Sequence, residues 1–523
     1  MQMRTPQNRW LATLVAATLT TGLGLALSTM VGRGQSTQSG QTFAEPLPAA
    51  PRDAPANLAT KITAPFTVAS VGDVMIKRPA AAMEEAQFQD PIKVLKNADV
   101  TFGNMEGNLA DLEHFNGPLR GMMGDKDVAP ALKLMGFDLM NRANNHIFDS
   151  DRESMYSTME QLDKAGIVHA GTGKNLEDAR RAHYFDSAKG RVGLVGMHTP
   201  NGVQSTSSAS YASGNVGGRP GLNALDYTIY YNVTAEQLAA IKAIRRAAYT
   251  APAGATNVTK LPDPSSEPVD RVQLFGLWYK VGTPGTRSFE MNPGDLREIL
   301  RSIRNGKYLS EFMIATCHCH QGPILAQQWL FEDQIPDFLP QLAHATIDNG
   351  ADMFVGHGPH VLRGIEIYKG KPIFYGLGEF YYQWQHFDSA LLSGSWPQSE
   401  GGGGGRGGRG GGAGGASAAE SNVVDVRVST GLRPINFESL VTETKYDKGQ
   451  LVEIRLYPTS GGWDGPISLL GMPRTAPAAM AQKILARVQE LSKPFGTTIA
   501  IENNVGVIRI NQSRQTTAGA RQQ

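Results

Sequence analysis

Short apolar runs that close on a polar residue recur along the chain. FTVASVGDVMI (66–76) predicts a strand ending in an aspartate, and ADVTFGNMEG (98–107) a strand running into a polar turn. FDLMNRANNH (137–146) repeats that pattern, and GIVHAGTG (166–173) and GRVGLVGMHT (190–199) supply further strands. EFMIATCHCH (311–320), ADMFVGHGPH (351–360) and KPIFYGLGEF (371–380) continue the series, the last expected as one strand. Helical spacing separates these runs at ESMYSTMEQLDKAG (153–166), which glycine closes, at VTAEQLAAIKAIRRAAY (233–249) and around PDFLPQLAHATIDNG (336–350). Strands alternating with helices predict an α/β protein. Reacting groups in such folds gather at the carboxyl ends of strands.

The pattern breaks in three places. Residues 201–300 read as an insertion, loop-like over SSASYASGNVGGRPGLNAL (207–225) and again over APAGATNVTKLPDPSSEPVD (251–270). A Gly-rich loop occupies 395–419, where GGGGGRGGRGGGAGGA (401–416) has almost no side-chain surface to bury. Beyond it, QLVEIRLYP (450–458), AAMAQKILARVQELSKPFG (478–496) and TTIAIENNVGVIRI (497–510) predict a strand, an amphipathic helix and a small α+β extension over 420–515. That extension either forms its own unit or completes the main one.

At the other end, Arg4 and Arg9 precede the apolar stretch Leu11–Val31, expected as a signal peptide or signal anchor at 1–31. Cleavage near Ala44 and retention as an anchor both fit, so the chain is expected to be exported, periplasmic or extracellular. The polar, Pro-rich residues 32–65 are expected to be a flexible linker.

The 523 residues suffice for two or three domains with large cores. Net charge is only +1, with 49 basic against 48 acidic residues, so no bulk basic field exists to hold nucleic acid. The two cysteines, Cys317 and Cys319, are too close on one strand to bridge readily, which excludes a disulfide scaffold. They are expected to be buried as small apolar residues.

The strand ends carry the chemistry. Asp73, Asn104 with Glu106, Asn145 with His146, His318 with His320, and His357 with His360 each follow an apolar run. Singly, each has an ordinary reading as a cap, turn former or hydrogen-bonded group. Together, carboxylate, amide oxygen and imidazole suit hard or borderline divalent ions such as Mn, Fe or Zn. A carboxylate bridging two ions is the usual two-metal arrangement of hydrolases. His114, His169, His183, His198, His344 and His386 lack this context and are expected to be surface or supporting groups.

VGDVMIKR (71–78), FGNMEGNL (102–109), ANNHIFD (143–149) and GTGKNLEDAR (171–180) carry a resemblance, as do GRPGLNAL (218–225), CHCHQG (317–322) and GHGPHVLRGIEIYKGKPIFYGLGEF (356–380). With them, residues 66–390 resemble the poly-gamma-glutamate capsule biosynthesis (CapA-like) family of the metallophosphatase-like superfamily. The resemblance implies a four-layer α/β/β/α sandwich. It also implies that Asp73 and His360 hold a first ion, that Glu106 bridges, and that Asn145, His318 and His357 hold a second. His146 would be the general acid or a transition-state donor, and Arg78 would clamp an anion. The chain departs from the pattern at Met75, where such proteins often place a ligand histidine, and at Gly358, Glu379 and His318-Cys319-His320.

Two functions follow from these residues. One is a metal-dependent hydrolase acting on a phosphoester or amide and linked to poly-gamma-glutamate or capsule polymer biosynthesis. The other is a non-catalytic accessory protein that binds an anionic polymer or supports a membrane synthase complex. Retention of the polar set favours the first, and Met75 favours the second.

Overall fold

Two mixed β-sheets share one apolar core. The computed structural model describes residues 55–383 and 432–510, apart from 81, 118–120, 201–206, 252, 257–260, 262, 328–331 and 467–468. The expected signal segment, residues 32–54 of the linker, the Gly-rich loop and His386 lie outside the described residues.

The chain first lays down β1 (Phe66–Met75), β2 (Val100–Met105), β3 (Leu139–Asn141) and β4 (Val168–Ala170), all parallel. Helices α1 (Ala86–Asn97), α2 (Val128–Leu134) and α3 (Asp151–Lys164) fall between them. It then builds the second sheet from β5 (His183–Ser187), β6 (Gly190–His198), β7 (Phe312–His318), β8 (Met353–His357), β9 (Ile365–Tyr368) and β10 (Lys371–Phe374). Its helices are α4 (Pro293–Tyr308) and α5 (Phe338–Asp348). The order across that sheet is β9-β10-β8-β7-β6-β5, parallel through its centre.

The chain returns to the first sheet with β11 (Glu379–Tyr382), which pairs parallel to the end of β1. KPIFYGLGEF therefore forms two strands in two different sheets, not the single strand expected, because Gly376 and Gly378 let the chain cross between them. Gly378 has φ 73°, and a Cβ there would meet the Glu438 carbonyl at 2.5 Å.

The C-terminal region completes the main sheet. β12 (Glu438–Asp447) runs antiparallel to β1 in the register Phe66↔Tyr446 to Ser70↔Thr442. β13 (Gln450–Ser460), then β15 (Val505–Arg509) and β14 (Ala500–Glu502), extend the same sheet outward. Helix α6 (Ala478–Ser492) buries Ala481, Ile484, Leu485 and Val488 in the shared core.

Strand alternation explains the layering. On β6, Val192 and Leu194 point into the shared core, while Val195 and Met197 point to the opposite face, under α4 and α5. On β7, Phe312 and Ile314 divide in the same way from Met313, Ala315 and Cys317. The outer face of the first sheet packs Val71 and Val74 against Phe88, Ile92 and Leu95 of α1 and Leu132 of α2. Both cysteines are buried and unbridged, and burial pushes their thiols above the ordinary range.

Two stretches are more ordered than the sequence indicates. In the expected linker, Pro55–Leu58 form a 3-10 turn, Thr60 Oγ1 donates to Asp352 at 2.5 Å, and Ile62 is 2% exposed in the shared core. Ile62 alone contributes about 1.5–3 kcal/mol by burial. In the 201–300 region, strands Tyr227–Val233, Arg271–Leu274, Leu277–Val281 and Arg287–Met291 form a separate four-stranded sheet beside the helix Ala235–Ala248. The sequence also under-reads α4, whose start is marked by Pro293 behind the capping Asn292, which accepts from the backbones of Gly294 and Asp295.

Candidate metal centre

The carboxyl ends of β1, β2, β7 and β8 meet at the seam of the two sheets. Asp73 lies on β1, Glu106 directly follows β2, and His318 and His357 end β7 and β8 in mutual register. All four side chains are buried. His360 follows β8 on a turn, in the left-handed region at φ 50°. That conformation disfavours a residue with a Cβ, and the surroundings enforce it. One restraint is Asn436, whose Nδ2 donates to the His360 carbonyl at 3.2 Å.

The polar atoms converge. Glu106 Oε1 stands 3.4 Å from His318 Nε2, 3.6 Å from His146 Nε2 and 3.8 Å from His360 Nε2. Asp73 Oδ1 accepts from Asn104 Nδ2 at 2.6 Å and lies 3.5 Å from His357 Nδ1, while Oδ2 accepts from the Gly358 backbone N–H at 3.1 Å. Asn141 Nδ2 donates to Asn104 Oδ1 at 2.8 Å, which fixes the Asn104 amide.

Electrostatics separate the carboxylates. Burial would raise the Asp73 carboxyl, but the imidazoles of His357 and His360 and the Asn104 amide outweigh it and hold the group below its usual range. Glu106 is pushed well above its usual range by burial and then by Asp73 and Glu379. Glu379 is raised as strongly, again by burial and Asp73. Burial and the neighbouring histidines keep His318 well below the ordinary imidazole value, hence neutral and able to ligate.

These residues fit a cation cluster. Both Glu106 carboxylate oxygens, Asn145 Oδ1, Glu379 Oε2 and both ring nitrogens of His357 are buried without a hydrogen-bond partner among the described residues. Buried polar atoms are rarely left unsatisfied, and charged ones least of all. Donor atoms of Asp73, Glu106, His360 and Glu379 all lie within 4.8 Å of one another, as do those of Glu106, His320 and His360. Carboxylate, imidazole and amide oxygen together are the donors of a divalent transition-metal site.

Of the residues to which the resemblance gives a role, Asp73, Glu106, His146, His318, His357 and His360 come together here, and Asn145 is placed only as the neighbour of His146, with its Oδ1 buried. Asn145 opens the 3-10 turn Asn145–Phe148, capped by Asn144, whose side chain accepts from the His146 N–H. His146 Nδ1 pairs with Asp149 Oδ2 at 2.7 Å, which orients Nε2 toward Glu106. Arg78 is exposed beyond the end of β1, with its backbone N–H on Gln383 Oε1 at 3.1 Å, and its side chain is not joined to the cluster.

Sequence reasoning missed two contributors and left a third, Glu379, only as a departure that could add a ligand. Asp149 supports His146 and was visible only as the end of ANNHIFD. His198 is buried at the end of β6, opposite His318 in register, with its ring 5.4 Å from that of His318. Its signal was the same strand-end position that marked the others. Glu379 stood out only as a departure from a pattern, yet it faces Asp73 in strand register.

The chain is similar to known proteins. The family model described as bacterial capsule synthesis protein PGA_cap matches residues 67–383. The uncharacterized protein y4sH of Sinorhizobium fredii is 35% identical over 475 residues, which cover 88% of this chain and 96% of that protein. The PGA biosynthesis protein CapA of Bacillus subtilis is 24% identical over 332 residues, 62% of this chain and 65% of that one. A probable polyglutamine synthesis accessory protein of Mycobacterium tuberculosis is 26% identical over 253 residues, 48% of this chain and 47% of that one.

Proposed function

The chain belongs to the bacterial capsule synthesis PGA_cap family, and from that premise we propose that it is an exported, metal-dependent hydrolase acting in the biosynthesis of poly-gamma-glutamate or a related capsule polymer. The observation that carries this reading is the set of buried donor atoms on Glu106, His357 and Glu379 at one seam that have no hydrogen-bond partner among the described residues. A scaffold has no physical need for them.

In this reading the two sheets and their helices form a four-layer α/β/β/α metallophosphatase-like sandwich, closed at one edge by the C-terminal strands. Asp73, Glu106, Asn145, His318, His357 and His360 would hold two divalent ions, of the Mn, Fe or Zn class. When bound, such ions supply Lewis acidity and a nucleophilic water at neutral pH. Glu106, whose donor atom belongs to both candidate donor groups, would be shared by them. His146, held through Nδ1 by Asp149, presents Nε2 to the site and donates a proton to the leaving group. Arg78, exposed just beyond the end of β1, would engage anionic groups of the substrate. The apolar Leu11–Val31 stretch supports export, either by cleavage or as an anchor.

A second reading is a non-catalytic accessory that binds the anionic polymer or supports a membrane synthase. The Mycobacterium tuberculosis relative, described as a probable polyglutamine synthesis accessory protein, favours it. Elemental analysis of the full-length chain, purified without a metal-affinity tag, tests the first reading beside a His357→Ala/His360→Ala variant. About two transition ions per chain, lost in the variant, are expected. Turnover of phosphoester or gamma-glutamyl amide substrates by the loaded protein would then exclude the accessory reading. No bound ion after reconstitution with Mn, Fe and Zn would overturn the hydrolase.

A further inference from the structure

Two buried side chains at the centre fall outside the ligand set derived above. The first is His320. Its Nε2 lies 2.9 Å from His318 Nε2 and 4.0 Å from Glu106 Oε1, and its ring centroid is 5.5 Å from that of His360. Donor atoms that share one ion at about 2.1 Å stand about 3.0–3.5 Å apart. The two imidazole nitrogens and the Glu106 oxygen come close to that spacing. The backbone leaves room for this ring. Gly358 has φ 104°, and a Cβ there would stand 2.7 Å from His320 Cδ2. The His320 imidazole therefore fills the space that a side chain at 358 would enter.

The second is Glu379. It begins β11, is paired with Asp73 across the strands, and is 3% exposed. Its Oε1 contacts His360 Nδ1, while Oε2 has no partner among the described residues. Position 75 supplies nothing to the same centre. The Met75 side chain packs with Met122, Tyr382, Phe437 and Leu470 in a separate apolar cluster. The carboxylate that completes the Asp73 end comes instead from the neighbouring strand.

We propose that His320 and Glu379 are direct ligands, and that the two cation positions they complete differ in chemistry. Asp73, Glu106, Glu379 and His360 form a carboxylate-rich position for a hard divalent ion of the Mn2+ class. Glu106, His318 and His320 form an imidazole-rich position for a borderline ion of the Zn2+ class. The inference rests on the metal-centre reading above and goes further in assigning two new ligands and an asymmetry between the positions.

The test uses the full-length chain stripped with a chelator and given one equivalent each of Mn2+ and Zn2+. Mn2+ binding is followed by electron paramagnetic resonance, and Zn2+ binding by competition with a chromophoric chelator. Losing a supporting residue costs about 10–100-fold in metal affinity, so losing a ligand should exceed about 100-fold. Glu379→Gln, which keeps the side-chain shape, is expected to lose Mn2+ by more than that and to retain Zn2+. His320→Ala is expected to do the reverse. Melting curves of the stripped proteins identify any variant that fails to fold, and Glu379→Gln is the least exposed to that failure. If the parent binds both ions and the variants lose less than about 100-fold, or lose both ions equally, the assignment is overturned while the metal centre stands. If the parent binds neither ion, the metal-centre reading itself fails.

Discussion

Replacing Glu106 by glutamine should stabilise the metal-free protein and abolish its stabilisation by metal. Glu106 is fully buried, both its oxygens lack hydrogen-bond partners among the described residues, and its donor atom lies within 4.8 Å of those of Asp73 and Glu379. At an effective dielectric of about 20, two unit charges at that distance repel by about 3.5 kcal/mol. Burial and these neighbours push Glu106 well above the usual carboxylate range, so the charged form is disfavoured in the metal-free state. A residual cost of about 1–3 kcal/mol remains in the metal-free state. Glutamine removes the charge at equal size and offers an N–H to the neighbouring carboxylates. Bound metal acts oppositely, because each ion at a hundredfold excess over its Kd contributes about 2.7 kcal/mol. For roughly 400 ordered residues the unfolding entropy is about 0.8 kcal/mol/K, so each kcal/mol moves the midpoint by about 1 °C. Scanning calorimetry with chelator, and again with Mn2+ and Zn2+, should show Glu106→Gln melting about 1–4 °C above the parent without metal and failing to rise with it. A variant that melts lower in chelator, or that still rises by the parental amount, would refute the charge-holding role.

Other residues give independent tests. Lys307 and Asp352 form a buried ion pair at 2.6 Å that ties α4 to the start of β8, so Lys307→Met should cost about 3–5 kcal/mol in urea unfolding. An unchanged midpoint would show that the pair is dispensable. Deleting residues 432–523 strips β12 from β1 and α6 from the shared core, and should abolish near-ultraviolet circular dichroism. Asn436→Ala frees the His360 carbonyl and should weaken metal binding by about tenfold, read by calorimetric titration. Burial, with His169 and Arg181 adding to it, pushes His183 down to about 4 from 6.5. The folded state then refuses a proton that the unfolded state accepts. Stability should be full above pH 6.5 and fall by up to about 3 kcal/mol as the pH drops toward 4, a slope that His183→Gln should remove.

The sequence by itself determined the elements and most of the polar set. An apolar run that closes on Asp, Glu, Asn or His is a local signal, and it marked Asp73, Glu106, Asn145, His146, His318, His357 and His360 without any partner strand in view. The tertiary structure decided the rest. Only pairing could place β12 beside β1, because antiparallel partners about 370 residues apart share no periodicity and are joined by burying a common face. A register shift between Asp73 and Val74 breaks the alternation within β1, and past a strand end it no longer holds, so spacing did not reveal that Met75 joins an apolar cluster, that His320 fills the space over Gly358, or that Arg78 stays exposed. Glu379 showed in the sequence only as a departure from the family pattern that could add a ligand. Its neighbour Asp73 is adjacent only through strand register, and a buried carboxylate becomes informative once the charges around it are known.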